Sequence, residues 1–194
     1  MSRIAPDSLL TLEAYTKART TFRAEVMAHK KKRKVALGEH VTLLFEDELT
    51  IRYQVQEILR VEKVFEEAGI QEELAAYNPL IPDGGNWKAT MLIEYPDVAE
   101  RARMLMQLKG IERSVWVKVA GSAKIYAIAD EDLERENEEK TSAVHFLRFE
   151  LDASMREALH DDATLEMGVD HPVYTARTTI TGDTRSTLLQ DFSD

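Results

Sequence analysis

The sequence predicts an α+β fold, a mostly antiparallel sheet with an N-terminal helical part and segregated helices. Three observations point there. Apolar residues recur three and four apart in the first third of the chain, and they alternate in short runs through the rest. The alternating runs are joined by tight Gly, Asp and Pro turns, with few helical crossovers between them.

Taken in order, Leu12, Tyr15, Phe22, Val26 and Met27 fall largely at helical spacing between Asp7 and about His29. Val35 and Leu37, then Val41, Leu43 and Phe45, alternate around Gly38 as a short strand pair or one bent strand. Asp47 is placed to cap the next helix, in which Ile51, Val55, Ile58, Leu59 and Phe65 repeat at helical spacing. With Gly69 as its stop, that helix is expected over residues 48–67. QEELAAY adds a short helical turn before Pro79, Pro82 and a DGGN loop.

WKATMLIEY, residues 87–95, reads as a strand; Pro96 suits the first turn of a helix, and DVAERARMLMQLKG closes on Gly110. SVWVKVAG and AKIYAIAD are alternating runs about Gly121 and Ser122, the pattern of an antiparallel hairpin. DEDLERENEEKTS is a solvated loop or a short exposed helix, and AVHFLRFELD returns to strand. Asp152 caps a brief helix, TLEMGVDH and YTARTTIT form two strands about a His171-Pro172 turn, and Asp183 opens a last helix ending near Phe192. Five to eight strands are expected, with no internal repeat.

At 194 residues the chain can bury roughly 70% of its unfolded surface, enough for one well-cored domain. The expected organisation is a single domain over 1–194, with a helical portion over residues 1–80 packed on a sheet-rich portion over residues 86–194. There are no cysteines, which excludes disulfides, thiolate nucleophiles, iron–sulfur ligation by cysteine and cysteine zinc sites. No apolar run approaches the ~18 residues of a membrane span, and the N-terminus lacks a secretory pattern, so a cytoplasmic location is expected.

Charge is unevenly spread. Residues 1–70 hold 12 Lys and Arg against 11 Asp and Glu, whereas residues 71–194 hold 13 against 24. Five consecutive cations, Lys30 to Lys34, interrupt the first third of the chain. On a helix they would advance by about 100° per residue and ring it, giving no stripe that could follow a phosphate row. A solvated helix end complementing the macrodipole is the favoured reading, a phosphate-bearing ligand the alternative, and nucleic acid is disfavoured.

Chemistry must come from carboxylates, five histidines, tyrosines and arginines. No two histidines stand three or four apart, so no zinc helix of the HExxH kind exists. Glu25 and His29 do share a helix face at i, i+4, a spacing that suits an exposed contact or a pair of metal ligands. On the helix over 48–67, Glu62 projects onto the line of Ile51, Val55, Ile58 and Phe65, while Tyr53, Gln54 and Glu57 share a neighbouring face. A carboxylate on an apolar face must be paired, hydrogen-bonded or neutralised. Arg19, Arg23, Arg52 and Arg60 are available partners, so the pattern fits an Arg/Glu network locking two helices, or a ligand or metal site on Glu57 and Glu62.

A third constellation is VDHPVY, residues 169–174. It would present His171, between Asp170 and Pro172 and close to Tyr174, to a substrate or metal. The alternative is a turn in which Asp170 bonds nearby backbone amides and His171 stays half exposed. Glu57 and His171 are the candidate metal ligands; oxygen and nitrogen donors without sulfur suit a divalent metal such as Mn, Fe or Zn. No nucleophilic serine motif, phosphate loop or dinucleotide fingerprint occurs. Glu-x-x-His occurs once, at Glu157 and His160, where a ferritin-like di-iron carboxylate oxidase needs it on two helices, so the chain is not of that type.

KRKVALGEHVTLLFEDELTIRYQVQEILRVEK, followed by EELAAYNPLIP, ATMLIEYP and VDHPVY, resembles the bacterial family called domain of unknown function 3501, over roughly residues 12–192. The family's genes often lie beside those for rubrerythrin and an iron–sulfur oxidoreductase, so the resemblance implies a role in peroxide or iron-redox handling. It carries no catalytic residue across; its motifs match on the Gln54, Glu57 and Arg60 helix and at the Asp170-His171-Pro172 turn. Two function classes follow. One is a non-enzymatic accessory protein that binds a redox partner through the acidic 130–140 loop and the sheet surface. The other is a small enzyme or ligand-binding domain with Glu57, Glu62 or His171 in its site.

Overall fold

The computed structural model describes residues 3–129 and 140–192. Among them, α1 (Leu12–Lys31) is capped by the Thr11 hydroxyl and carries His29, Lys30 and Lys31 in its last turn, where cations favour the helix dipole. β1 (Lys34–Leu37) and β2 (Val41–Phe45) pair antiparallel across the turn at Gly38. Then come α2 (Glu48–Glu62), α3 (Glu67–Tyr77), β3 (Asn86–Ile93) and α4 (Val98–Gln107). The remainder is β4 (Val115–Val119), β5 (Ile125–Tyr126), β6 (Ile128–Ala129), β7 (Val144–Glu150), α5 (Ala153–His160), β8 (Leu165–His171), β9 (Tyr174–Ile180) and α6 (Gly182–Leu189).

The strands form one five-stranded sheet, β1-β2-β3-β7-β6, and one four-stranded sheet, β5-β4-β8-β9, with antiparallel pairing throughout. The α+β architecture is the one the hydrophobic periodicity predicts. The expected hairpin about Gly121 and Ser122 forms only in part: Tyr126 and Ile125 pair with Trp116 and Val117, after which Ile128 and Ala129 pair with Arg148 and Leu147 of the other sheet. Buried Ala127 marks the crossing, its N–H donating to Val115 O at 2.8 Å, so one alternating run serves both sheets.

Inward-facing residues of the two sheets, among them Leu43, Phe45, Trp87, Met91, Val117 and Met167, share one apolar core. A second, smaller cluster joins Ile51, Val55 and Leu59 of α2 to Leu74 of α3, Ile4 and Ile81. Burying each such side chain contributes about 1.5–3 kcal/mol. α6 closes over the sheet core. Trp87 Nε1 donates to Leu188 O at 2.9 Å, and the Trp87 ring lies 4.8 Å from that of Phe192.

The expected helix over 48–67 ends early, at Glu62, and the expected helical turn QEELAAY is the greater part of α3, which starts at Glu67. Asp47 caps α2 as expected, within a capping box shared with Thr50, but Lys63 takes the left-handed conformation (φ 56°) and ends it. Gly69 is no stop. It lies in the first turn of α3, where a Cβ would stand 2.7 Å from Val64 Cγ1, so its role is close approach. α6 starts at Gly182, one residue before the expected Asp183. The acidic residues 130–139 lie outside the described residues, and no described helix is long and apolar enough to cross a membrane.

Gly168 of β8 faces Trp116 so closely that a Cβ would lie 2.4 Å from Trp116 Cζ2 and 2.5 Å from Ala176 O. Gly168→Ala is expected to destabilise the fold by about 1–3 kcal/mol or more, because indole and backbone must both shift. Equilibrium urea unfolding measures this, and an unchanged midpoint would refute the packing described.

Candidate functional site

Residues Lys30 to Lys34 divide by position. Lys31, Lys32 and Lys34 are exposed, but Arg33 is 1% exposed. This corrects the expectation of a wholly solvated helix end. Arg33 continues the inward side of β1, two residues before buried Val35 and four before Leu37. Its Nε donates to Phe45 O (2.9 Å), Nη1 to Thr187 O (3.3 Å), and Nη2 to Glu46 O (3.0 Å) and Asp191 Oδ2 (2.5 Å). Asp47 Oδ2 lies 3.4 Å from Arg33 Nε and 2.5 Å from His29 Nε2. His29 therefore meets Asp47, and the Glu25 spacing that suggested a metal pair leads only to an exposed carboxylate.

Beside this cluster the Glu46 carboxyl is buried on uncharged donors. Thr90 Oγ1 donates to Oε1 at 2.6 Å, and Thr50 Oγ1 and Gln54 Nε2 reach Oε2 at 2.5 and 3.2 Å. Gln54 is thereby placed, and its partner Glu46 is a residue the helical periodicity did not single out.

Glu57 sits between α1 and α2. Arg19 grips it in bidentate fashion, Nε to Oε1 at 2.7 Å and Nη2 to Oε2 at 2.8 Å. The Tyr15 hydroxyl donates to Oε1 at 2.6 Å, and Arg60 Nη2 to Oε2 at 3.3 Å. The Arg19 hydrogen bonds, with those of Tyr15 and Arg60, lower the Glu57 carboxyl from its ordinary value to about 2 against the opposing effect of burial. Burial, then the Glu57 contact, raises the Tyr15 hydroxyl. This arrangement is an Arg/Glu network locking two helices. Arg52 pairs with Glu48 and donates to Ser8 O, while Arg23 is exposed. Glu62 projects at the angle of the apolar stripe but is the last residue of α2, beyond the depth of packing, and is exposed. Phe65 lies past the helix end and is exposed as well.

The VDHPVY turn joins β8 to β9 and spreads its three polar side chains apart. Asp170 accepts from Lys124 Nζ (2.6 Å) and the Tyr126 hydroxyl (3.1 Å), and the Lys124 contact, the largest influence, lowers its carboxyl. Lys124 Nζ also lies 4.1 Å from the centre of the Trp116 ring. His171 is 8% exposed, where a half-exposed ring was the alternative. Its Nδ1 accepts from Val173 N–H at 3.2 Å, which assigns the proton to Nε2, donating to Lys109 O at 3.0 Å. Tyr174 donates to Leu37 O at 2.6 Å and accepts from His40 N–H at 3.0 Å, linking β9 to the β1–β2 turn.

Glu57 and Arg60 thus meet, Gln54 joins Glu46, and Asp170, His171 and Tyr174 serve three separate contacts. Among the described residues no group of three or more His, Asp or Glu side chains could hold a metal ion. A metal at His171 Nε2 or on Glu57 would first have to displace the backbone carbonyl or the guanidinium already there.

The family model for a protein of unknown function, DUF3501, matches residues 3–192. A crystal structure of a novel protein of unknown function from Burkholderia pseudomallei is 53% identical, covering 99% of this chain and 100% of that one, with a TM-score of 0.94. No curated protein matches.

Two carboxyls give opposite pH slopes. Glu57, lowered from 4.5 to about 2, binds fewer protons folded than unfolded between those values, so its contribution is present above about 4.5 and lost as pH falls towards 2. Asp191 is raised from 3.8 to about 6 by burial, which outweighs the Arg33 contact, so stability falls as pH rises between those values. Chemical denaturation across pH 2–7 is expected to show a loss of stability on the acid side that flattens in Glu57→Gln. Asp191→Asn is expected to remove a decline between about 3.8 and 6. An unaltered profile in both variants would contradict these assignments.

Proposed function

The chain belongs to the DUF3501 family of proteins of unknown function, and from that premise we propose that it is a non-enzymatic accessory protein whose task is to bind a partner protein. One observation carries this. The side chains best suited to acid–base or metal chemistry, Glu57, His171 and Asp170, are each held by two or more internal donors or acceptors, an arrangement that spends their reactivity on the fold. A catalytic group needs a face open to a reacting atom. The family resemblance supplies the setting, peroxide or iron-redox handling, and makes a redox enzyme such as a rubrerythrin or an iron–sulfur oxidoreductase the class of partner. The acidic balance of residues 71–194 supports association with a basic surface.

Size-exclusion chromatography of the protein co-expressed with a redox enzyme of either class is expected to give a complex that weakens with salt. Glu57→Ala and His171→Ala should lower thermal stability and leave complex formation intact below the melting transition. Near-stoichiometric Fe, Mn or Zn by mass spectrometry in the isolated protein, lost in folded Glu57→Ala or His171→Ala, would overturn the proposal in favour of a metal site.

A further inference from the structure

The turn between α2 and α3 leaves apolar surface that the fold does not use. Phe65 is 74% exposed, the most exposed large apolar side chain among the described residues, and Val61, four residues earlier, is 64% exposed. Lys63, Val64, Phe65, Glu66 and Gly69 line an open cleft of about 260 Å³. That is below the ~300–1,000 Å³ of small-molecule sites and of a size for protein side chains. Along residues 61–72 four exposed glutamates, Glu62, Glu66, Glu67 and Glu72, stand against one cation, the exposed Lys63. An apolar centre with a charged rim is the make-up of a protein interface, in which a buried aromatic anchor supplies most of the affinity.

Charge selects the occupant. A second copy of the chain, with net charge −10, approaches this acidic rim against repulsion. So does the chain's own stretch 130–139, with seven acidic residues and one basic. A basic segment is drawn to it. We infer that the α2–α3 junction is the docking surface for a partner protein presenting a cationic segment with an apolar side chain at its centre, which enters beside Phe65. This rests on the accessory-protein proposal and names the surface it uses.

The test measures fluorescence anisotropy of a labelled amphipathic peptide built of leucine and lysine, against one of leucine and glutamate, on the full chain and on Phe65→Ser and Val61→Ser. Both substitutions are on exposed positions, and circular dichroism with thermal melting checks that the fold is kept. The leucine–lysine peptide should bind, lose roughly tenfold or more in affinity in Phe65→Ser, and weaken with salt. Equal binding of the two peptides, or no effect of either substitution, overturns the inference. So does a dimer seen by sedimentation that Phe65→Ser dissociates, which would assign the surface to a second copy. A partner complex that forms with wild type and survives Phe65→Ser removes this surface and leaves the accessory role standing; no complex with wild type removes the accessory role itself.

Discussion

A single buried guanidinium holds this architecture together. Arg33 leaves the end of α1 and bonds the carbonyls that close β2, a carbonyl of α6 and the carboxyl of Asp191, with the α2 cap Asp47 alongside. Burying a charge is costly unless its hydrogen-bonding capacity is met. Arginine's planar fork of donors meets several acceptors in fixed directions, which the point charge of a lysine does not. Helix α1, the C-terminal end of β2, the start of α2 and the C-terminal helix are therefore positioned by one another's polar groups. The polar seam of Arg33, Asp47, Glu46, Thr50 and Thr90 couples the helical portion, with its small apolar cluster, to the sheets with their larger one.

Hydrophobic periodicity made most of the fold legible. The strand runs around Gly38, at 87–95 and around His171-Pro172 stand where alternation put them, because half-buried strands write their burial directly into the sequence. The helix boundary at Lys63 was illegible because a left-handed lysine carries no residue signature, whereas the nearby Gly69 carries a misleading one. For the site, the Arg/Glu pairing between two helices was readable from charges on an apolar face, but the depth of each residue was not. Angular projection puts Glu62 on the apolar line and Glu57 only on the face beside it, although it is Glu57 that lies between α1 and α2 and Glu62 that stands exposed at the helix end. Arg33 did leave a trace: it continues the period of two through Val35 and Leu37. The surrounding lysines masked it.

These features share one consequence for function. Glu57, His171 and Asp170 are each held by internal contacts, and rigid elements present the surfaces around them with little conformational freedom to lose on association. Phe65 is the most exposed large apolar side chain among the described residues, on a turn whose exposed glutamates favour a cationic visitor.

Amide hydrogen exchange on Arg33→Lys tests the central role of this residue most directly, since lysine keeps the charge and removes the fork. If Arg33 couples the layers, amides of α6 and of the α1–β1 junction should lose protection by roughly tenfold or more. Those of β4 and β8, in the sheet core, should keep theirs. Retained protection in α6, or an equal loss in every element, would show that the layers are held together without it.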